Sequence, residues 1–518
     1  MSQYQMSIKE AKQEVIHTLR IYLTRNEWGQ YEIPAEKQRP VLLMGPPGIG
    51  KTAIMEQVAE EEGVALVSYT ITHHTRQSAI GLPIIREREY NGTNFSVTEY
   101  TMSEIISSVY DKMEQTGRKE GILFLDEINC VSETLAPTML QFLQYKTFGT
   151  HRVPEGWIII AAGNPPEYNR SVRAFDITTL DRLKRIDIVE DYPSWREYAY
   201  ARHVHPAILS YLDIRKDHFY QVETAIGGEE FVTARGWEDL SRYLLAAEKK
   251  ELTAGTAAIH QYIQHEDIAG DFGNYYELFR RYRQQYNIPA ILSGAALDET
   301  CPEGREATAT LDRLREAPFD EAVSVLGLLL GGLNERFCDL FQTDGALTQV
   351  HKSLQRLRGQ LATSRKAPEE LLQEEYERTR QMLHTEKTAG RLTEGRERQL
   401  LLSLSHLSQI RSRLLEGAPV SSLPSFDRIK ELFGSAVEQY SRSADETGQT
   451  LTNCFLFLEK AFAGRQEMVL FVTELTLNPN AAWFVSEHGC DKFFEYNREL
   501  LIDDKKAELK RKIREFSL

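Results

Sequence analysis

The hydrophobic pattern changes character near residue 195. Before that point, short unbroken apolar runs alternate with helical stretches. Beyond it, apolar positions recur at the spacing of three or four residues that marks one face of a helix. Five runs read as strands: 41–44, 65–71, 121–126, 157–163 and 186–190. The third, Gly-Ile-Leu-Phe-Leu-Asp, is apolar up to its last residue, as a parallel strand covered on both faces requires. Helical patterns lie between the runs, so the expectation is a parallel sheet in a three-layer α/β core. Ahead of the first strand, Ile8, Ala11, Val15, Leu19 and Leu23 form a helical stripe, unlike a signal peptide.

Past Tyr192-Pro193, helices are expected at 195–203, at 207–212 and from Thr233, which would cap a helix with Arg235 in its first turn. Amphipathic stretches follow at 274–286 and 319–341, and the polar 294–318 between them reads as a loop or connector. Glu, Arg, Gln and Leu dominate 347–415. Leu354, Leu357 and Leu361 form one stripe there and Leu400, Leu404, Leu407 and Leu414 another, which predicts a helical hairpin or three-helix piece with an internal seam. Pro368 and Ala389-Gly390 punctuate it, and 419–424 is a Ser/Pro linker. Further helices are expected at 426–433, 454–462, 467–477 and 492–501, with enough phenylalanine for a small core. The division is therefore an α/β core over 1–195, a helical domain over 196–345 and an all-helical region over 346–518.

Composition narrows this picture. The 61 basic residues against 76 acidic ones give a net charge of -15, which argues against an extended nucleic-acid footprint. Lys505, Lys506, Lys510, Arg511, Lys512 and Arg514 make the one concentrated basic run, a solvated helix or a dock for an acidic partner. Cys130, Cys301, Cys338, Cys454 and Cys490 are odd in number and lack C-x-x-C spacing, so a reduced, cytoplasmic chain is expected. No apolar run approaches the ~20 residues of a bilayer helix. His73-His74 and His203-Val204-His205 have some ligand character, but no cluster with ligand spacing accompanies them.

The chemistry is concentrated in the first third. Gly45-Pro46-Pro47-Gly48-Ile49-Gly50-Lys51-Thr52 stands between the first strand and a helix over 51–61. Strand, G-x-x-x-x-G-K-[ST], helix is the P-loop arrangement. Its glycines let successive backbone N–H groups turn toward a polyphosphate, and the helix N-terminus adds favourable partial charge. The expected ligands are ATP and Mg²⁺, with the loop through Ala53 against the phosphates. Lys51 would reach the β- and γ-phosphates and the Thr52 hydroxyl would ligate Mg²⁺. The third strand ends in Asp126-Glu127, where Asp126 would hold Mg²⁺ mostly through water and Glu127 would orient and deprotonate the attacking water. The fourth runs into Asn164, either a γ-phosphate or water contact or a turn-forming Asn before Pro165.

Together these residues resemble the AAA+ ATPases, and within them the MoxR-like group. Residues 45–52 are similar to Walker A, and 122–129 (Ile-Leu-Phe-Leu-Asp-Glu-Ile-Asn) to Walker B with its trailing Asn. Gly163-Asn164-Pro165 falls at sensor 1, and Arg235 resembles the lid arginine of sensor 2. Leu180-Asp181-Arg182-Leu183 resembles the family's Leu-Asp-Arg-Phe, with Leu183 for phenylalanine. Arg182 would be the arginine supplied in trans, and Arg185 is the alternative. A hairpin over 86–100 about Asn91-Gly92 matches the helix-2 insert, and 146–156 the pre-sensor hairpin; each is either a channel element or a surface hairpin. The resemblance covers about the first half of the chain. It implies a ring, most often hexameric, that hydrolyses ATP and remodels or loads a client protein, commonly with a von Willebrand factor A-type partner. Two other readings stay open. One is a nucleic-acid translocase or restriction-type motor, with Lys146, His151 and Arg152 facing a phosphate backbone. The other is an ATP-loaded scaffold with negligible turnover.

Overall fold

The computed structural model describes residues 5–71, 81–168, 175–225, 228–298, 300, 302–361, 366–388, 394–416, 425–462 and 465–498. They fall into two units: 1–194 with 233–235 and 387–391, and 195–232 with 236–386 and 392–518. The pair His73-His74, Cys301, the break at 389–390, the 419–424 linker and the basic run 505–514 lie outside the described residues.

In chain order the strands of the first unit are β1 (Gln5–Met6), β2 (Val41–Met44), β3 (Ala65–Thr70), β4 (Pro83–Tyr90), β5 (Thr93–Tyr100), β6 (Gly121–Asp126), β7 (Thr147–Phe148), β8 (His151–Arg152), β9 (Trp157–Gly163) and β10 (Lys184–Ile188). Six of them form one sheet in the order β1-β10-β2-β9-β6-β3, and every pair in it is parallel. All of β2 and β9 is buried, as is β6 up to Asp126. Their side chains merge with Ile105, Ile106 and Val109 of helix Glu104–Thr116 and with Met139, Phe142 and Leu143 of helix Ala136–Tyr145. Helix Ile8–Leu23 turns Ala11, Val15 and Leu19 inward and is joined by ion pairs to helix Lys51–Glu61 (Lys12–Glu61) and to its C-terminal cap (Arg20–Glu62). This is a P-loop αβα core with a parallel sheet.

The sheet has one strand more than the pattern predicts. β1 is two residues long, too short to alternate visibly, and stands just ahead of Ser7, which starts the first helix through a capping box with Glu10. β10 begins at Lys184, a charged residue that the pattern excludes. Its ammonium reaches Glu14 Oε1 and Thr18 Oγ1, both at 2.6 Å, so the charge is met. β4 and β5 form the expected hairpin. Asn91 (φ 51°) and Gly92 (φ 77°) are both left-handed, as a two-residue turn that follows the strand twist requires.

The second unit is built around helix Phe319–Leu361, 43 residues long. It packs against helices Pro206–Ile214, Glu266–Gln285, Glu394–Glu416, Ser425–Phe462, Gln466–Leu477 and Pro479–His488. Near its C-terminal end, Val350, Leu354 and Leu357 meet Leu371, Leu372, Leu407, Ile410 and Ile429. The two leucine stripes are thus internal, and the seam is shared by four helices rather than two or three. Helix Phe319–Leu361 is continuous through position 345. Helix Ser425–Phe462 is likewise unbroken where two short helices are expected. The segment 294–318 holds helix Pro302–Glu316 rather than a connector. Ala307, Leu311 and Leu314 are buried at i, i+4, i+7, a stripe diluted by the polar residues between them. A hairpin of β11 (Gln221–Ala225) and β12 (Gly228–Val232) is also unforeseen. No helix among the described residues is long and apolar enough to cross a membrane.

One cluster of buried charges in this unit is paired across its helices. Arg196 lies between Asp213 (3.2 Å) and Glu474, and Tyr200 donates its hydroxyl to Glu474, a carboxylate only 2% exposed. Burial, then the Asp213 charge, raises the Tyr200 pKa. Removing one partner of a buried ion pair strands the other, so Glu474→Ala should destabilise the chain by about 3–5 kcal/mol in urea unfolding. Glu438→Ala, which removes an exposed partner of Arg442, should change it by less than about 0.5 kcal/mol.

Candidate active site

Strand order puts the P-loop, Asp126 and Asn164 together. β9 lies between β2 and β6 and all three run in the same direction, so their C-terminal ends share one edge of the sheet. Ligands of open parallel sheets bind along that edge. Gly48 (φ 76°) and Gly50 (φ 96°) are left-handed, which lets the loop close directly onto helix Lys51–Glu61. No side chain caps that helix, which leaves its N-terminal amides to an anion.

Lys51 is 8% exposed, and its ammonium is met by three oxygens: Gly45 O and Pro46 O at 2.8 Å and Asn164 Oδ1 at 2.9 Å. Burial lowers its pKa to about 8; the Arg235 charge also lowers it, while Asp126 and Glu127 act against the shift. Thr52 donates its hydroxyl to Asp126 Oδ2 at 2.7 Å, and the other carboxylate oxygen accepts the Glu127 N–H at 2.9 Å. A hydroxyl and a carboxylate side by side at the end of the phosphate loop are hard oxygen donors that fit Mg²⁺.

Glu127 has φ 56°, uncommon for a residue with a side chain and strained by on the order of 1 kcal/mol. Its carbonyl accepts from Cys130 N at 2.9 Å, so the chain reverses at the residue expected to act on water. Asn129 has no role in the sequence pattern alone beyond trailing Asp126-Glu127. It is 3% exposed, and its side-chain amide bonds both the carbonyl (2.7 Å) and the N–H (3.3 Å) of Asn164. The available signal was a polar residue two positions past Asp126-Glu127, where the chain re-enters the core.

Arg235 approaches the loop through its backbone: its N–H donates to Gly48 O at 3.2 Å. Arg182 and Arg185, both exposed, differ in partners. Arg185 is paired with Asp187 of its own strand at 2.8 Å, whereas Arg182 donates to the neutral amide of Gln144 at 2.6 Å. The three cations weighed for a nucleic-acid backbone are engaged within the chain. Lys146 is buried beside Gln38, and burial lowers its pKa to about 8. Arg152 pairs with Glu36, and His151 contacts Tyr100 O at 3.1 Å.

His205 is occupied as well. Its Nδ1 accepts from Ala207 N at 3.1 Å while Nε2 lies 3.2 Å from Glu248. Among the described residues no three His, Cys, Asp or Glu side chains gather as a metal site would need.

A Cβ at Gly163 would stand 2.6 Å from Asn129 Oδ1. Gly163→Ala should therefore lower the urea midpoint, by about 1–3 kcal/mol in stability, and this loss should shrink in an Asn129→Ala background.

Residues 41–184 match the family model described as ATPase family associated with various cellular activities (AAA). The span contains the loop, Asp126, Glu127, Asn164 and Arg182, and ends before Arg185 and Arg235. No curated protein matches the chain. The match over 41–184, on a P-loop sheet of this topology, supports an AAA+ ATPase.

Proposed function

We propose that the chain is a Mg²⁺-dependent, MoxR-like AAA+ ATPase working as a homo-oligomeric ring, most simply a hexamer, that remodels or loads a client protein with a von Willebrand factor A-type partner. The observation that carries the enzymatic part is the junction at the sheet edge, where Lys51 touches Asn164 and Thr52 touches Asp126. In this reading Lys51 and the amides at the start of its helix bind the triphosphate, with Gly45, Pro46, Pro47, Gly48, Ile49, Gly50 and Ala53 shaping the cradle. Thr52 and Asp126 would hold Mg²⁺, which when bound would supply positive charge beside the transferring phosphoryl group. Glu127 takes the proton of the attacking water, and Asn164 aligns that water or the γ-phosphate. Arg235 adds charge from the same chain.

Arg182 is assigned to the neighbouring subunit's site. An exposed guanidinium held by a neutral amide reaches a phosphate more readily than Arg185, which would first have to leave Asp187. The client role leans on the β4–β5 ribbon, exposed along most of its length, with Ile84, Ile85, Tyr90 and Phe95 uncovered.

Glu127→Gln should keep ATP binding and abolish turnover in a steady-state phosphate-release assay. Wild-type turnover no faster than that of Glu127→Gln would instead favour the ATP-loaded scaffold. Arg182→Ala should be inactive alone and regain activity when mixed with Glu127→Gln, because each subunit supplies what the other lacks. Activity retained by Arg182→Ala, or no recovery on mixing, removes Arg182 from the trans role.

The lowered pKa of Lys51 sets a pH dependence. Below about pH 8 the free protein holds Lys51 as ammonium, while above it binding a triphosphate must take up a proton. ATP affinity of Glu127→Gln should therefore be level from about pH 6.5 to 7.5 and weaken above pH 8, by at most about tenfold per unit. Calorimetry in buffers of different ionisation enthalpy should show proton uptake there. An affinity flat to about pH 9.5 contradicts the lowered pKa of Lys51.

A further inference from the structure

β6 and β9 share their last rung at Leu125 and Ala161, and Ile128 N still reaches Ala162 O at 2.9 Å. Beyond that the two segments diverge, because β6 has turned away at Glu127. The peptide of Asn164 is nevertheless held, by a side chain in place of a strand. Asn129 Nδ2 donates to Asn164 O and Asn129 Oδ1 accepts from Asn164 N. A primary amide offers the same donor and acceptor as a neighbouring backbone; a carboxylate would offer acceptors only and an aliphatic side chain neither. The close approach of the Asn129 amide to Gly163 belongs to the same arrangement. The clamp matters because Asn164 Oδ1 is one of the three oxygens on the buried Lys51 ammonium. A rotated Asn164 peptide would swing that oxygen away.

We propose that Asn129 is a positioning residue for ATP hydrolysis. It fixes the Asn164 peptide so that the Asn164 amide stays aimed at Lys51 and at the phosphoryl group Lys51 meets. The inference rests on the ATPase reading above. It also links two groups of the site: Glu127 and Asn129 belong to one short turn, closed by Cys130 N on Glu127 O. A displacement of the general base is thereby passed to the amide across the phosphate.

The test is a double-mutant cycle of wild type, Asn129→Ala, Asn164→Ala and the double variant. For each, ATP kcat and KM are measured, with thermal melts as a control on folding. Asn129→Ala should lower kcat about 10- to 100-fold and change KM less than about threefold. The double variant should be no slower than Asn164→Ala, because both substitutions remove the same alignment. Losses that multiply, or a wild-type kcat in Asn129→Ala, overturn the proposal.

Asn129→Asp preserves the volume and keeps the test decisive should Asn129→Ala fold poorly. Ionised, the carboxylate faces Asn164 O with no donor; protonated, it regains one. Its kcat should therefore fall well below wild type between about pH 6 and 8, where a carboxyl is ordinarily ionised, and a wild-type kcat there counts against the clamp. Wild type hydrolysing no faster than Glu127→Gln brings down the ATPase reading and this inference with it. Hydrolysis by wild type with an unaffected Asn129→Ala brings down this inference alone.

Discussion

A lysine ammonium enclosed by protein has to be met by oxygen, and at Lys51 that requirement organises the site. Its three contacts come from two places: the loop's own carbonyls at Gly45 and Pro46, and the Asn164 side chain at the end of β9. The loop supplies two of them locally. The third exists only because β9 runs between β2 and β6. Burial, which depresses the lysine's pKa, would also strengthen its attraction to a phosphate once water is excluded.

The same economy recurs around Asp126. One carboxylate oxygen takes the Thr52 hydroxyl and the other takes the N–H of Glu127, so the carboxylate is oriented from both sides. The left-handed backbone of Glu127 is held in place by its flanks, with Ile128 bonded to Ala162 and Cys130 closing the turn. Strain of this kind persists where surrounding contacts over-determine it, and here it reverses the chain just past the end of a strand buried up to Asp126.

The helical unit answers a different constraint. Its long helices bury continuous leucine seams, and few loops interrupt them. Two of the arginines inside it are paired, Arg196 with Asp213 and Glu474, and Arg356 with the buried Glu375. Such pairs restrict which helix faces can meet, since any other register would leave a charge without its partner.

The strands β2, β6 and β9 and the phosphate loop were legible in the sequence because each is a local property: an unbroken apolar run, a glycine spacing, an Asp-Glu at a strand end. The hairpin at Asn91-Gly92 was legible for the same reason, since two left-handed residues set the turn wherever it lies. What escaped were features decided by contacts distant in sequence. β1 is a strand only because β10 offers it an edge, and helix Pro302–Glu316 buries three residues that its polar neighbours disguise. Position 345 carries no break because the apolar face of Phe319–Leu361 is covered along its length by several other helices. Arg182 and Arg185 are alike on paper, and only the folded chain pairs one with Asp187 and leaves the other to Gln144. Asn129 shows the division most plainly: its residue type was readable, but its hold on Asn164 arises from bringing together positions 35 apart in the chain, where β6 has turned away and a side chain supplies the missing hydrogen bonds.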